Sequence, residues 1–421
     1  MAMSAAKADV TAKLMDHFPK PDGQGWHARA VRAATDRVNA MGLPVARDEY
    51  WKYTNPTPLT NIEPKYAGAA TATNVFAQAT PATLTITDGV ISGDLGALDG
   101  CDVTLLSDAM AADIHWVSDV YGVLESEGHT HTDRPFAAVN TAIATEGLLI
   151  HVTGNVKTPI RICYASNGGQ ANIHHVIKVD EGASVTLLEE GVTGARSSTA
   201  MEVVVADNAT FKHLRIQPDH HDRQAVTHTY AKLGTESAYQ SFTLTLDGEL
   251  TRNEAVIEMT GDDASAHIAG ACLGDGDFHH DDTVFITHDA VNGESRQVFK
   301  KVLRNGATGV FQGKILVKAD AQKTDGYQIS QSLLMDDDSQ FLAKPELEIY
   351  ADDVACSHGS TSGAIDEDAL FYLRSRGVPH GTAVDLLTLS FMAEAVDEIS
   401  DDDLKDIILT HLTEALEGRH A

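Results

Sequence analysis

Positive charge is scarce in this sequence. Lysine and arginine number 31 against 61 aspartates and glutamates, a formal net charge of −30 at neutral pH. Phosphate binding needs a basic footprint, so the balance argues against a nucleic-acid partner. Acid in this excess serves solubility or marks a salt-adapted source. Cysteine is sparse too: Cys101, Cys163, Cys272 and Cys356 include no C-x-x-C pair. Neither a disulfide framework nor a self-contained zinc or iron–sulfur site is signalled. No apolar run approaches the roughly 20 residues of a membrane span. The opening MAMSAAKADVTAKLMDHF is broken by Lys7, Asp9, Lys13 and Asp16, so a cytoplasmic protein without a membrane partner is expected. H-E-x-x-H, G-x-S-x-G, P-loop and G-x-G-x-x-G signatures are missing from the contexts that would give them meaning, and the expectation is a chain without catalytic apparatus.

What is present is a long chain, 421 residues and 43% hydrophobic, with material for a substantial core. Apolar residues at helical spacing predict helices over Ala8–Phe18 and Trp26–Met41, the second stopped by Gly42 and Pro44. Beyond Pro64 short alternating runs such as Ala82–Thr87, Val103–Leu106 and Leu148–Val152 predict strands, with short helices over Asp113–Glu125 and Phe136–Thr145. A small residue then closes a polar turn and launches a strand at Ala183, Ala209, Ala238, Ala264, Ala307 and Ser339. The interval, roughly 26 to 43 residues, suits coils of a β-solenoid, though a two-sheet sandwich would pattern its strands similarly. The tail predicts three helices, capped at Asp366, beginning near Thr382, and capped at Ser400, the last with an apolar stripe at Leu404, Ile407, Ile408, Leu412 and Leu416.

Two stretches invite chemistry. Cys356-Ser357-His358-Gly359 sets a thiol and an imidazole two residues apart, both ligands for a soft or borderline metal. Taken alone, the same residues read as a turn with one buried cysteine and one exposed histidine. Histidine pairs occur at His174-His175, His220-His221 and His279-His280. Neighbours on a strand face opposite sides, so a pair shares one site only in a turn. The second and third pairs, set among aspartate, glycine and proline, read as solvated turns.

Lys344–Gly377, with its L-E-I-Y-A-D-D-V-A-C-S-H-G run, resembles the C-terminal signature of the SufB and SufD family, scaffold subunits of the SUF iron–sulfur cluster assembly machine. Gly42–Thr54 resembles the GLP…R.E.WKYT motif of that family, and Phe136–Thr145 and Gly306–Gln331 resemble further segments of it. The resemblance implies a mainly β fold: a right-handed parallel β-helix over 65–363, between an N-terminal helical domain (1–64) and a C-terminal helical domain (364–421). It implies a non-catalytic scaffold that pairs with SufB through the ends of their β-helices and docks the SufC ATPase on its C-terminal domain, with a homodimer when alone. SufB supplies a cysteine from the turn before its last strand; Met335–Gln340 stands there in this chain without a thiol, which implies the SufD side of the family. On that reading His358 is the metal or nascent-cluster ligand, Cys356 assists it or packs behind it, the cluster is transient, and ATP acts only through SufC. Gln322, Lys323 and Thr324 are either functional or the residues of a solenoid turn. Rival readings are a SufB-like paralogue working as a homodimeric scaffold, a carbohydrate-acting β-helix enzyme, and a self-sufficient histidine-rich metalloprotein.

Overall fold

Corners repeat in this molecule more strictly than strands. In a computed structural model of the chain, which describes residues 5–63, 68–93, 95, 97–112, 115–218 and 220–418, Gly182, Asn208, Glu236, Asp263, Asn292 and Lys323 all adopt positive φ. Each stands two residues before a strand. The left-handed conformation turns the chain through the corner, and glycine, asparagine and aspartate reach it most easily. Each of these residues donates its N–H to a carbonyl of the next coil's corner, at 2.5–3.0 Å, so the corners stack as the strands do. Lys323 is one of them, Thr324 Oγ1 donates to Ala321 O and Gln322 Oε1 accepts from Asp353 N. These three residues build a turn.

The strands fall alternately into two sheets of ten and nine strands, a β-solenoid of about 7 turns. Pairing is parallel through the body: Arg196, Gln224, Leu250, His279, Thr308 and Gln340 align in one sheet, a coil of roughly 26 to 32 residues. The wider interval between Ala264 and Ala307 has a simple origin. Ala183, Ala209, Ala238 and Ala264 sit at corners leading into the ten-stranded sheet, whereas Ala307 and Ser339 lead into the other. Between Ala264 and Ala307 lies one more corner into the ten-stranded sheet, Asn292-Gly293, where glycine takes the place of the alanine.

Between the sheets lies an apolar core containing Ile177, Val203, Phe211, Ile257, Ile286 and Phe311. Charge is enclosed beside it. Glu189 accepts from His213 and Arg215, and Lys301 donates to His280 Nδ1 (2.8 Å) and Asp282 (2.6 Å). Arg215 and His213 hold the Glu189 carboxyl well below its usual range despite burial, as a buried charge requires. His279-His280 is therefore corrected: both lie in the strand His279–His288, His280 facing Lys301 inside and His279 reaching Thr54 outside. His220-His221 is a turn, and His174 and His175 are buried on a strand, contacting Glu202 and Tyr164 respectively.

Helices Ala5–His17 and Gly25–Met41 pack with Pro135–Ile143 against the outer face of the nine-stranded sheet. Helices His380–Val396 and Asp402–Gly418 cover the ten-stranded one. The Leu404–Leu416 stripe is buried in one cluster with Leu214, Phe242 and Leu244 of this sheet. Asp366 caps Glu367–Ser375 by accepting from Asp368 N and Ala369 N. The last helix is capped differently from expectation: Asp401 Oδ1 accepts from Leu404 N, and Ser400 Oγ donates to Gln240 Oε1. The expected helix over Asp113–Glu125 is two short pieces, Trp116–Asp119 and Val123–Glu127, parted by Gly122 at positive φ. Asp113, and the expected boundary at Pro64 and Lys65, lie outside the described residues.

Candidate functional site

The Cys-Ser-His-Gly segment is a strand and not a turn. Ala355–Gly363 is the outermost strand of the ten-stranded sheet, paired on one side with Asp325–Leu334 and, among the described residues, unpaired on the other. Gln340–Ile349 is likewise outermost in the other sheet. The solenoid thus ends in an open rung with two long bare edges.

In the last strand Ala355 N donates to Thr324 O. N–H and C=O direction alternates along a parallel strand, so Cys356, His358, Ser360 and Ser362 aim their backbone groups at the open edge. Their side chains share the face that carries Gly326, Gln328, Ser330 and Ser332 on the preceding strand. Ser330 Oγ and Ser360 Oγ lie 3.0 Å apart, and Ser332 donates to Ser362 at 3.0 Å. A Cβ at Gly326 would come within 3.2 Å of Cys356 Sγ, so the thiol packs closely over this glycine.

His358 is exposed, and Cys356 is half-buried in a small cluster with Ile315, Leu347 and Val354. Burial pushes the Cys356 thiol up, the Gly326 N–H opposes the shift, and Asp325 adds to it. The thiol is protonated at neutral pH and ligates only when a metal displaces its proton. His358 continues a column of stacked amides: Gln328 Nε2 donates to Gln297 Oε1 at 3.0 Å, and His358 is the next residue in register. Gln328 Oε1 has no partner among the described residues. No group of three or more His, Cys, Asp or Glu able to hold a metal occurs among those residues. A thiol and an imidazole two residues apart make half a coordination shell at most.

The second motif is remote in sequence and adjacent in space. The Trp51 ring lies over the buried Arg252 guanidinium (4.2 Å), worth about 2 kcal/mol in so dry a place. Thr54 donates to Asp281, which also receives Arg252. Tyr50 OH donates to Glu346 at 2.6 Å, Gln312 Nε2 donates to Tyr50 O at 3.1 Å, and Lys344 sits 3.9 Å from the Tyr50 ring centre. Burial, reinforced by Glu346, pushes the Tyr50 phenol far up. Tyr53 is only half-buried, under Lys52, whereas Trp51 is a packing anchor that rests on buried charge that sequence reasoning missed. Polar residues at every second position, as in His280 and Asp282 or Arg252 and Glu254, were the available signal.

Comparison with known proteins matches residues 162–391 to the family model "SUF system FeS cluster assembly, SufBD core domain". The chain belongs to the SufBD family. The match spans from the strand Ile160–Ala165 into helix His380–Val396, and so takes in the open rung. Iron-sulfur cluster assembly protein SufD of Escherichia coli is 29% identical over 399 residues, 90% of each chain. A SufBD family protein of Synechocystis is 27% identical over 405 residues, 87% of this chain and 86% of its own, and SufD of Bacillus subtilis is 25% identical over 286 residues, 65% of each. Membership in this SufBD family gives the chain a role in SUF iron–sulfur cluster assembly, on the SufD side.

Proposed function

We propose that this chain is the SufD-type scaffold subunit of a complex with SufB and SufC. It pairs with SufB at the open rung and presents His358 to a nascent cluster there. The observation that carries this reading is the placement of His358. It is an exposed imidazole on the outermost strand, among residues whose backbone groups face the unpaired edge. A strand from a partner would satisfy those groups and bring its own side chains alongside the same face. The cluster is cargo. One imidazole with a protonated, half-buried thiol behind it holds iron too weakly to keep it, and ligands from the partner complete the shell only while the interface exists. Cys356 acts as a reserve ligand or as packing.

SufC docks on the C-terminal helices. Phe371 (73% exposed) and Tyr372 on Glu367–Ser375, with Leu386 on His380–Val396, are large apolar side chains left in solvent there, the kind of surface that marks a partner site. ATP chemistry stays on SufC, and the chain is a non-catalytic cytoplasmic component. No helix of the described residues is long and apolar enough to cross a membrane. The test is co-purification with SufB and SufC followed by amide exchange across the strand Ala355–Gly363. Protection of Cys356, His358, Ser360 and Ser362 on assembly is expected. A stable complex that leaves them exchanging as before would contradict pairing at this edge, as ATP hydrolysis by the purified chain would contradict the non-catalytic role.

A further inference from the structure

The outermost strand Gln340–Ile349 is held from one side by its neighbour Thr308–Val317. No strand of the described residues pairs with its other side, yet it forms one wall of the rung that carries Cys356 and His358. Gln340 N donates to Ala307 O and Tyr350 N to Val317 O, so the even-numbered residues point their backbone groups inward and the odd-numbered ones outward. Pro345 therefore removes a donor only from the open side, which is why proline is tolerated there. Holding a strand with half its backbone groups unpaired calls for something more.

The N-terminal motif supplies it. Tyr50 OH donates to Glu346 Oε2 (2.6 Å), Lys344 Nζ donates to Glu49 Oε1 (2.8 Å) and lies 3.4 Å from Glu346 Oε2, and the Lys344 ammonium sits over the Tyr50 ring. Tyr50 is itself fixed: it is 8% exposed, its ring meets Phe285 edge-on at 5.0 Å, and its carbonyl accepts from Gln312. Glu49 is largely exposed, so its ion pair adds little. The hydrogen bond from a buried phenol to Glu346 is the stronger contact. On the other face of the same strand Leu347 packs in the cluster that contains Cys356.

We propose that Tyr50 is a positioning residue: by clipping Gln340–Ile349 through Glu346 and Lys344, it holds the open rung, and with it Cys356 and His358, in the shape a partner strand requires. The clip would explain why a motif about 300 residues away in sequence stands against this wall of the rung. The value of the rung's shape for pairing rests on the reading under Proposed function; the clip itself does not.

The test compares the full-length chain with Tyr50→Phe and Glu346→Gln, by hydrogen exchange in the peptide covering Gln340–Ile349 and by affinity for SufB. Tyr50→Phe keeps the ring on Phe285 and Lys344 and removes only the donor. Exchange confined to that peptide should rise about tenfold, the scale of one lost hydrogen bond of about 1.4 kcal/mol. Glu346→Gln keeps an acceptor for the phenol and should change exchange far less. An unchanged peptide, or a rise spread evenly through the chain, overturns the clip. Faster exchange with weaker SufB binding supports the whole proposal. Faster exchange with SufB affinity unaltered overturns the link to pairing; the clip then stands and pairing at this rung is what fails.

Discussion

The two ends of the solenoid handle the same problem in opposite ways. At its beginning, the outermost strands are Val90–Ser92, of 3 residues, and Cys101–Leu105, of 5, and both pair antiparallel with the strand beside them. At its end they are Gln340–Ile349 and Ala355–Gly363, of 10 and 9 residues, in parallel register with the body. A short edge strand offers little template to another chain, and a long one offers a great deal. One end is blunted and the other left long, which is the asymmetry that the proposed pairing through the second end requires. It is also the end where His358 stands.

The largest expected effect comes from emptying the core beneath the long end. Phe311 is fully buried and contacts Phe299 at a centroid distance of 4.9 Å. Phe311→Ala should cost about 3–5 kcal/mol in urea unfolding, and a loss below 1 kcal/mol would mean the coil is not packed as described. The edge itself is tested by proline. At Ser360 the N–H faces outward, so Ser360→Pro should cost only the side-chain hydrogen bond to Ser330, about 1 kcal/mol, while abolishing the complex with SufB. At Gly359 the N–H is spent within the sheet, so Gly359→Pro should cost about 3 kcal/mol. Val90→Lys, at a 68% exposed position of the short end, should do neither.

Acid sharpens the contrast between body and rim. Burial pushes His175, His228 and His288, and with them His27, down to about 4. A histidine depressed in the folded state binds its proton more readily when unfolded. Stability is therefore complete above about pH 6.5 and falls between 6.5 and 4, by up to about 1.4 kcal/mol per pH unit for each group. Glu254, held at about 2 against its burial by Arg252, His228 and Arg134, adds a further loss below about 4.5. Urea midpoints should drop steadily across the first interval; a flat profile from pH 7 to 4 would refute the buried neutral histidines. The smallest effect belongs to the tail, where Asp366→Ala removes two capping hydrogen bonds and should cost about 1 kcal/mol.

Much of this architecture is legible in the sequence. Helix limits at Gly42 and Asp366 follow from local rules, a positive-φ glycine and a capping carboxylate, and these survive folding. The solenoid could be seen in its corners, but assigning each corner to a sheet required the fold, since both sheets use small residues before their strands. Taken alone, Cys356–His358 looks like a turn because Ser and Gly are poor strand formers; pairing with Asp325–Leu334 overrides that preference. His279-His280 looks like a turn and is a strand for the converse reason. Aspartates that look like solvent-facing turn residues are here buried partners of Lys301 and Arg252, and a charge's partner across coils is not visible along the chain. The Tyr50 to Glu346 contact joins residues 296 apart, a distance at which only folding brings residues together.

The measurement that bears most directly on the account is the iron and acid-labile sulfide content of the anaerobically purified complex with SufB and SufC, wild type against His358→Ala. The account predicts that the variant assembles the same complex, because the exposed imidazole adds nothing to the strand pairing, and that its cluster content falls at least about tenfold, since losing even an outer-shell partner of a metal ligand costs about that much affinity. Unchanged cluster content in an intact complex would contradict it, leaving His358 a bystander and the open rung a structural joint.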